Sequence, residues 1–166
     1  MDDASETRHT RHKRRREMKW LDLPPVWTLV FVTIAAVQAR NFSLGLSLAH
    51  PVTSLLAGLL VGAGVVLILL AAMEFRRHKT TIVPHQAPAQ LIQTGVFKRS
   101  RNPIYLGDLA LFTGLVFWLD AVLSLVLVPV LFWVLETRFV IPEEDRLRRT
   151  FRADFARYAQ KTRRWL

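Results

Sequence analysis

Residues 51–73 read PVTSLLAGLLVGAGVVLILLAAM and contain no charged side chain. As a helix this run rises about 35 Å, enough to cross the ~30 Å hydrocarbon core of a bilayer. Working outward, residues 23–39, LPPVWTLVFVTIAAVQA, form a second uncharged run. Beyond residue 102 two more apolar runs, 103–119 and 121–135, are separated by Asp120 and interrupted only by Asp108. The 166-residue chain is 51% apolar yet carries a formal net charge of +10. A soluble domain mixes apolar and charged residues along its length, whereas here they fall into blocks. The pattern predicts an all-α integral membrane protein, a four-helix bundle with crossings at about 23–42, 51–73, 103–119 and 121–138. Residues 1–22 form a basic segment ahead of a single domain, 23–166. Cysteine is absent, so disulfide and thiol chemistry are excluded, and no metal is expected.

The basic residues set the orientation. Seven Lys and Arg precede Trp20, six lie between Glu74 and Asn102, nine follow from Arg138 onward, and Arg40 stands apart. With four crossings, 22 of the 23 share one face, and the positive-inside rule makes that face cytoplasmic, with both termini on it. The block TRHTRHKRRREMK at 7–19 reads as a topology anchor that also attracts anionic lipid headgroups, each basic residue worth about 1 kcal/mol near the surface. Nucleic acid is not an expected partner. Within the second crossing, Gly58, Gly62 and Gly64 suit close helix packing inside the chain, and Pro129 is expected to kink the fourth crossing. From Pro142 a last helix, about 142–160, carries Leu147, Phe151, Phe155 and Tyr158 on one stripe with arginines around it. It is expected to lie on the membrane surface or pack on the bundle ends.

Three polar pieces converge at the cytoplasmic interface. The connector 78–103 is too polar to span, yet Ile82, Val83, Leu91, Ile92, Val96 and Phe97 suggest that it folds as a lid. The run Arg101-Asn102-Pro103-Ile104-Tyr105-Leu106-Gly107 opens the third crossing, while Glu136, Arg138, Glu143 and Glu144 mark the end of the fourth. Because those two crossings form a hairpin, Arg101, Asn102 and Tyr105 should face Arg138, Glu143 and Glu144. Asp108, one turn inside the third crossing, is expensive in hydrocarbon and is expected to pair with Arg101 or Arg138 or to serve function.

In combination these pieces carry a resemblance. GVFKRSRNPIYLG at 95–107, then a helical hairpin, then EEDRLRRTFRADFARYAQKTRRWL at 143–166 resembles the isoprenylcysteine carboxyl methyltransferase and phospholipid methyltransferase superfamily. Its pattern is an Arg-His/Asn-Pro-x-Tyr-x-Gly segment, a Glu-Glu pair opening a helix, and Phe-Gly-x-x-Tyr-x-x-Tyr ending in Arg-Trp. Residues Thr80 to Pro84 and Pro88 to Leu91 resemble the connector of the bacterial branch. Two departures stand out: Phe151-Arg152 replaces Phe-Gly, and Asn102 replaces the histidine common in the eukaryotic branch.

The resemblance implies S-adenosylmethionine as methyl donor, used on a lipophilic acceptor from the bilayer at the cytoplasmic face, in a bacterial cytoplasmic membrane. That acceptor would be an isoprenylcysteine-like carboxylate, a lipid headgroup or a small hydrophobic molecule. For the cofactor it implies Arg101, Asn102, Pro103, Tyr105 and Gly107 at the third crossing and Leu91 and Gly95 in the connector. Glu143, Glu144, Phe151 and Phe155 complete that set from the last helix. Asp108, Glu136 and Arg138 are the candidates for the chemistry, with Asp108 or Glu136 accepting a proton. The non-enzymatic alternative is a small membrane subunit that binds anionic lipid or a partner protein.

Overall fold

The computed structural model describes residues 23–42, 44–80 and 90–166. The basic segment 1–22 and the connector positions Thr81 to Pro84 and Pro88 lie outside the described residues, so the expectations placed on them are not addressed. The described chain is all-α. Its helices are α1 (Pro24–Asn41), α2 (Pro51–Arg77), α3 (Pro103–Trp118), α4 (Leu127–Leu135) and α5 (Ile141–Lys161). Proline stands at the start of α1, α2 and α3, where its missing N–H costs no helical bond and its fixed φ suits the first turn. No strand forms among the described residues; Ser100 and Arg163 make one isolated parallel bridge.

Helix α3 is the hub, packing against α1, α2 and α4. The expected bundle is therefore an arrangement around α3, with α2 resting chiefly on α3 and on a 3-10 turn at Gly95–Lys98. Glycine sets the α2–α3 distance. A Cβ at Gly64 would lie 2.7 Å from the Gly107 carbonyl oxygen and 2.8 Å from the Leu111 nitrogen, and one at Gly114 would lie 2.9 Å from the Ala57 oxygen. Gly58 and Gly62, expected to share in this packing, face open space instead. On the other side of α3 the core is Phe112, Val116, Leu131, Leu135, Phe139 and Phe31, with Phe31 meeting Phe112 edge-on at 5.9 Å.

The outward faces are apolar. Leu55, Leu59 and Leu69 of α2 are 65%, 62% and 58% exposed, a surface that hydrocarbon covers at no cost and water does not. Among the described residues two helical runs are long and apolar enough to cross a membrane, Pro51–Arg77 and Val122–Lys161. Helix α3 is shorter, at 16 residues. At the end away from the charged clusters, Asp120 ties the two turns together, accepting from the Ser47 hydroxyl (2.5 Å) and the Leu48 amide (2.7 Å). Those bonds hold its carboxyl below its ordinary range.

The last third differs from expectation in three respects. Pro129 falls in the first turn of α4, directly after a 3-10 segment at Val122–Val126, so it opens a helix instead of kinking one. The expected break before Pro142 is absent. A π turn at Glu136–Val140 bonds the Ile141 amide to the Glu136 carbonyl, and this widened turn accommodates a proline that has no N–H to give one turn back. The bend comes later, at Arg152, with φ +41° and ψ −109° inside α5. Beyond it Phe155 and Tyr158 turn inward, the Tyr158 hydroxyl donating to the Phe97 carbonyl at 2.6 Å, so the last helix packs on the helix ends.

Arg152 occupies the position where the resembled pattern has glycine. An L residue there is strained by about 1–3 kcal/mol, of which glycine would lose part to its freer unfolded state. Arg152→Gly should therefore raise stability by about 1 kcal/mol in detergent unfolding, while Arg152→Ala, which keeps the Cβ, should not.

Candidate active site

The Arg-Asn-Pro turn is held by the far end of the chain. Asn102 precedes α3 without capping it through its own side chain. Instead its Nδ2 donates to the Arg164 carbonyl at 3.1 Å, and its amide donates to Ser100 Oγ at 3.1 Å. The Arg101 amide donates to the Arg163 carbonyl at 3.0 Å. The Arg101 guanidinium places Nε and Nη2 each 3.0 Å from Glu144 Oε1, and Nη1 reaches the carbonyls of Ala159 (3.1 Å) and Thr162 (2.6 Å). Nε and Nη1 thus donate within the chain, and Nη2 makes an ion pair with Glu144.

Glu144 is 4% exposed and sits between two guanidinium groups. Its Oε2 accepts from Arg164 Nη2 at 2.8 Å and Nε at 3.2 Å, while Arg164 Nη1 reaches Glu136 Oε1 at 3.1 Å. Burial pushes the Glu144 carboxyl up, but the bonds from Arg164 and Arg101 outweigh it, and the group lies below its ordinary value. The bonds Arg164 donates to Glu144 push its own guanidinium up.

Glu143, one residue earlier, faces elsewhere. It lines a cavity of about 190 Å³ between the helix ends and accepts the Tyr105 hydroxyl at 2.7 Å. The start of α1 contributes Leu23, Pro24 and Pro25, and Phe75 and Phe97 close another side. Arg101, Asn102, Pro103, Ile104 and Tyr105 complete the lining. The Tyr105 ring is fixed from behind by stacking on Phe139, 6.3 Å away at 22°. The result is a mostly apolar slot with a cation, an amide and a carboxylate at its rim.

Of the sequence-derived site residues, the cavity brings together Arg101, Asn102, Pro103, Tyr105 and Glu143. Glu144 and Glu136 join from behind through Arg164. The others do not line it. Arg138 lies over the Trp27 ring at 5.1 Å, a cation–π contact on α1. Gly107 packs on α2, where a Cβ would lie 2.6 Å from Ile68 Cγ1. Gly95, at φ +56°, turns tightly against the Glu74 carboxylate, to which the Thr94 hydroxyl donates. Leu91 is half-buried beside Ile92, which packs with Ala71 and Phe97. Phe151 is half-buried just before the bend, and Phe155 is buried with its edge to Tyr158.

Asp108 is 5% exposed, and its Oδ2 has no hydrogen-bond partner. The expected pairing with Arg101 or Arg138 is not formed at that oxygen: Arg101 is committed to Glu144, and Arg138 stands over Trp27. The acid shares a face of α3 with Tyr105 and Phe112, one turn deeper than the cavity. Sequence reasoning did not place the Leu23–Pro25 wall, Phe75, Phe97, Ile104 or Arg164 in the site. Arg164 had a signal, as part of the Arg-Trp that closes the resembled pattern, and Phe97 and Ile104 stood in the lid and the 101–107 run.

The family model for phospholipid methyltransferase matches residues 52–154, more than half of the chain. The chain belongs to this family. No curated protein and no solved structure matches it. As a phospholipid methyltransferase family member whose helices present apolar outer faces, it is a membrane methyltransferase. The matched span takes in α2, α3, α4 and the first half of α5, and so every described wall of the cavity except α1.

Proposed function

We propose that this chain is an S-adenosylmethionine-dependent methyltransferase, embedded in the membrane through four crossings, that methylates a lipophilic acceptor at the cytoplasmic face. The observation that supports this most directly is the cavity at the charged end, with Glu143, Arg101 and Asn102 at the rim of an apolar slot. The residues fit the ligand. Glu143 suits its ammonium, the Arg101 guanidinium suits its carboxylate, and Phe75, Phe97 and Ile104 suit an adenine ring. When bound, the cofactor supplies a methyl group already activated by a positively charged sulfur. Positioning is then the main contribution the protein makes, and the stacked Tyr105 and the anchored Arg-Asn-Pro turn provide it. Calorimetry with S-adenosylmethionine in detergent tests the reading, and radiolabelled methyl transfer into lipid against protein extracts separates the acceptor classes. No heat of binding at millimolar ligand would leave the non-catalytic lipid-binding subunit as the better account.

Asp108 is the proton acceptor in this reading, for acceptors that carry an N–H or O–H. Its buried, unbonded oxygen lies one turn deeper along α3. Asp108→Asn should slow turnover by about a hundredfold, in the range of general-base loss, while calorimetry finds cofactor affinity nearly unchanged. Lost cofactor binding with normal turnover would overturn the assignment.

The orientation proposed is both ends of the chain in the cytoplasm of a bacterial cell, with anionic lipid against the basic face. Single cysteines introduced at Ser47 and Arg99 into this cysteine-free chain should label from opposite sides.

A further inference from the structure

We propose that the C-terminal tail, residues 162–165, is the positioning element of the cavity rim, with Arg164 acting as a positioning residue on Arg101 and Asn102. This rests on the reading of the cavity as the cofactor site. The recorded bonds of the Arg101 guanidinium run to Glu144 and to the carbonyls of Ala159 and Thr162. The Asn102 side-chain amide and the Ser100 hydroxyl both donate to the Arg164 carbonyl, at 3.1 and 3.3 Å. The rim is thus oriented by backbone about sixty residues downstream, and not by the helix it opens.

The tail in turn has its own anchors. The Arg164 guanidinium spans Glu144 and Glu136, which joins the π turn to the start of α5. The Trp165 ring packs on Phe132 of α4 at 4.8 Å. The Trp165 indole N–H is buried without an acceptor, so ring packing and not a hydrogen bond seats this residue. A displaced tail also takes the Thr162 carbonyl from the rim cation, which keeps its bonds to Glu144 and Ala159. Tyr105 and Asp108 lie within α3 and keep their places. Loosening the tail therefore weakens cofactor capture and spares the chemical step.

Arg164→Gln in the full chain tests this, with helix content checked by circular dichroism. The KM for S-adenosylmethionine should rise about tenfold with kcat within about twofold of wild type, the split expected when binding alone is lost. In cofactor-free protein, hydrogen exchange at the Arg101 amide, read on peptides covering 96–106, should accelerate about tenfold. Trp165→Ala, which removes the ring contact with Phe132 that seats the tail, should shift both readings the same way, and carries the test if Arg164→Gln does not fold. Arg164→Lys should not restore wild-type values, because one ammonium does not reproduce the fork. Unchanged exchange, or a fall in kcat with KM unaltered, would overturn the proposal. If wild type fails to bind the cofactor while Arg164→Gln still speeds exchange, the cofactor reading fails and the tail's hold on the turn stands.

Discussion

Glu144→Gln should cost about 3–5 kcal/mol of unfolding free energy, measured in detergent at neutral pH, although it changes neither size nor shape. The loss is large because it leaves Arg101, whose side chain is 13% exposed, without its carboxylate, and removes one of the two acids that Arg164 spans. Glu143→Gln, one residue away, should weaken cofactor binding, since Glu143 lines the cavity and accepts the Tyr105 hydroxyl there. The pH dependence follows from the same bonds. Glu144 lies below its ordinary value of 4.5 when folded, so the unfolded chain takes up the proton first as pH falls. The stabilisation is complete above that ordinary value and is lost as pH falls through the folded one. The variant should lack this part of the acid limb. A wild-type and variant that lose stability in parallel between pH 7 and about 3 would contradict the assignment.

Gly64→Ala should destabilise the protein by about 1–3 kcal/mol, at the high end for a methyl group, because the obstructing atoms are backbone. The Cβ would sit 2.7 Å from the Gly107 oxygen and 2.8 Å from the Leu111 nitrogen, and neither gives way without moving a helix. Gly58→Ala and Gly62→Ala, in the same helix, meet nothing within 4 Å and should be neutral or slightly stabilising through helix propensity. Thermal midpoints of the three variants in one detergent decide the point. Equal losses at all three would mean that α2 packs through a different face.

The two sets of variants show where reading along the chain succeeds and where it stops. Helices α1, α2 and α3 fall within a few residues of the uncharged runs, because hydropathy and proline placement act locally. The run from Val122 to Lys161 was read as two helices, an apolar crossing to about 138 and a polar helix opened by Pro142; the π turn ahead of Pro142 is a local rearrangement that spacing does not announce. Arg101, Asn102, Tyr105 and Glu143 were legible as neighbours, since a hairpin brings its two open ends together. Arg138 was placed with them by the same reasoning, and its guanidinium lies over the Trp27 ring.

By itself the sequence determined the solvent, the charged end, and the helix that carries the functional motif. Each of these is a sum over neighbouring residues: free energies of transfer add along a span, and basic residues act by which flank they occupy. Only the tertiary structure decided which of two adjacent glutamates faces the cavity and which is clamped between arginines. It also decided that Gly64 is the contact glycine and that Arg164 reaches back to hold the turn at 100–102. Those outcomes depend on helix rotation and on segments some sixty positions apart meeting in space. Packing sets both, and composition does not encode them.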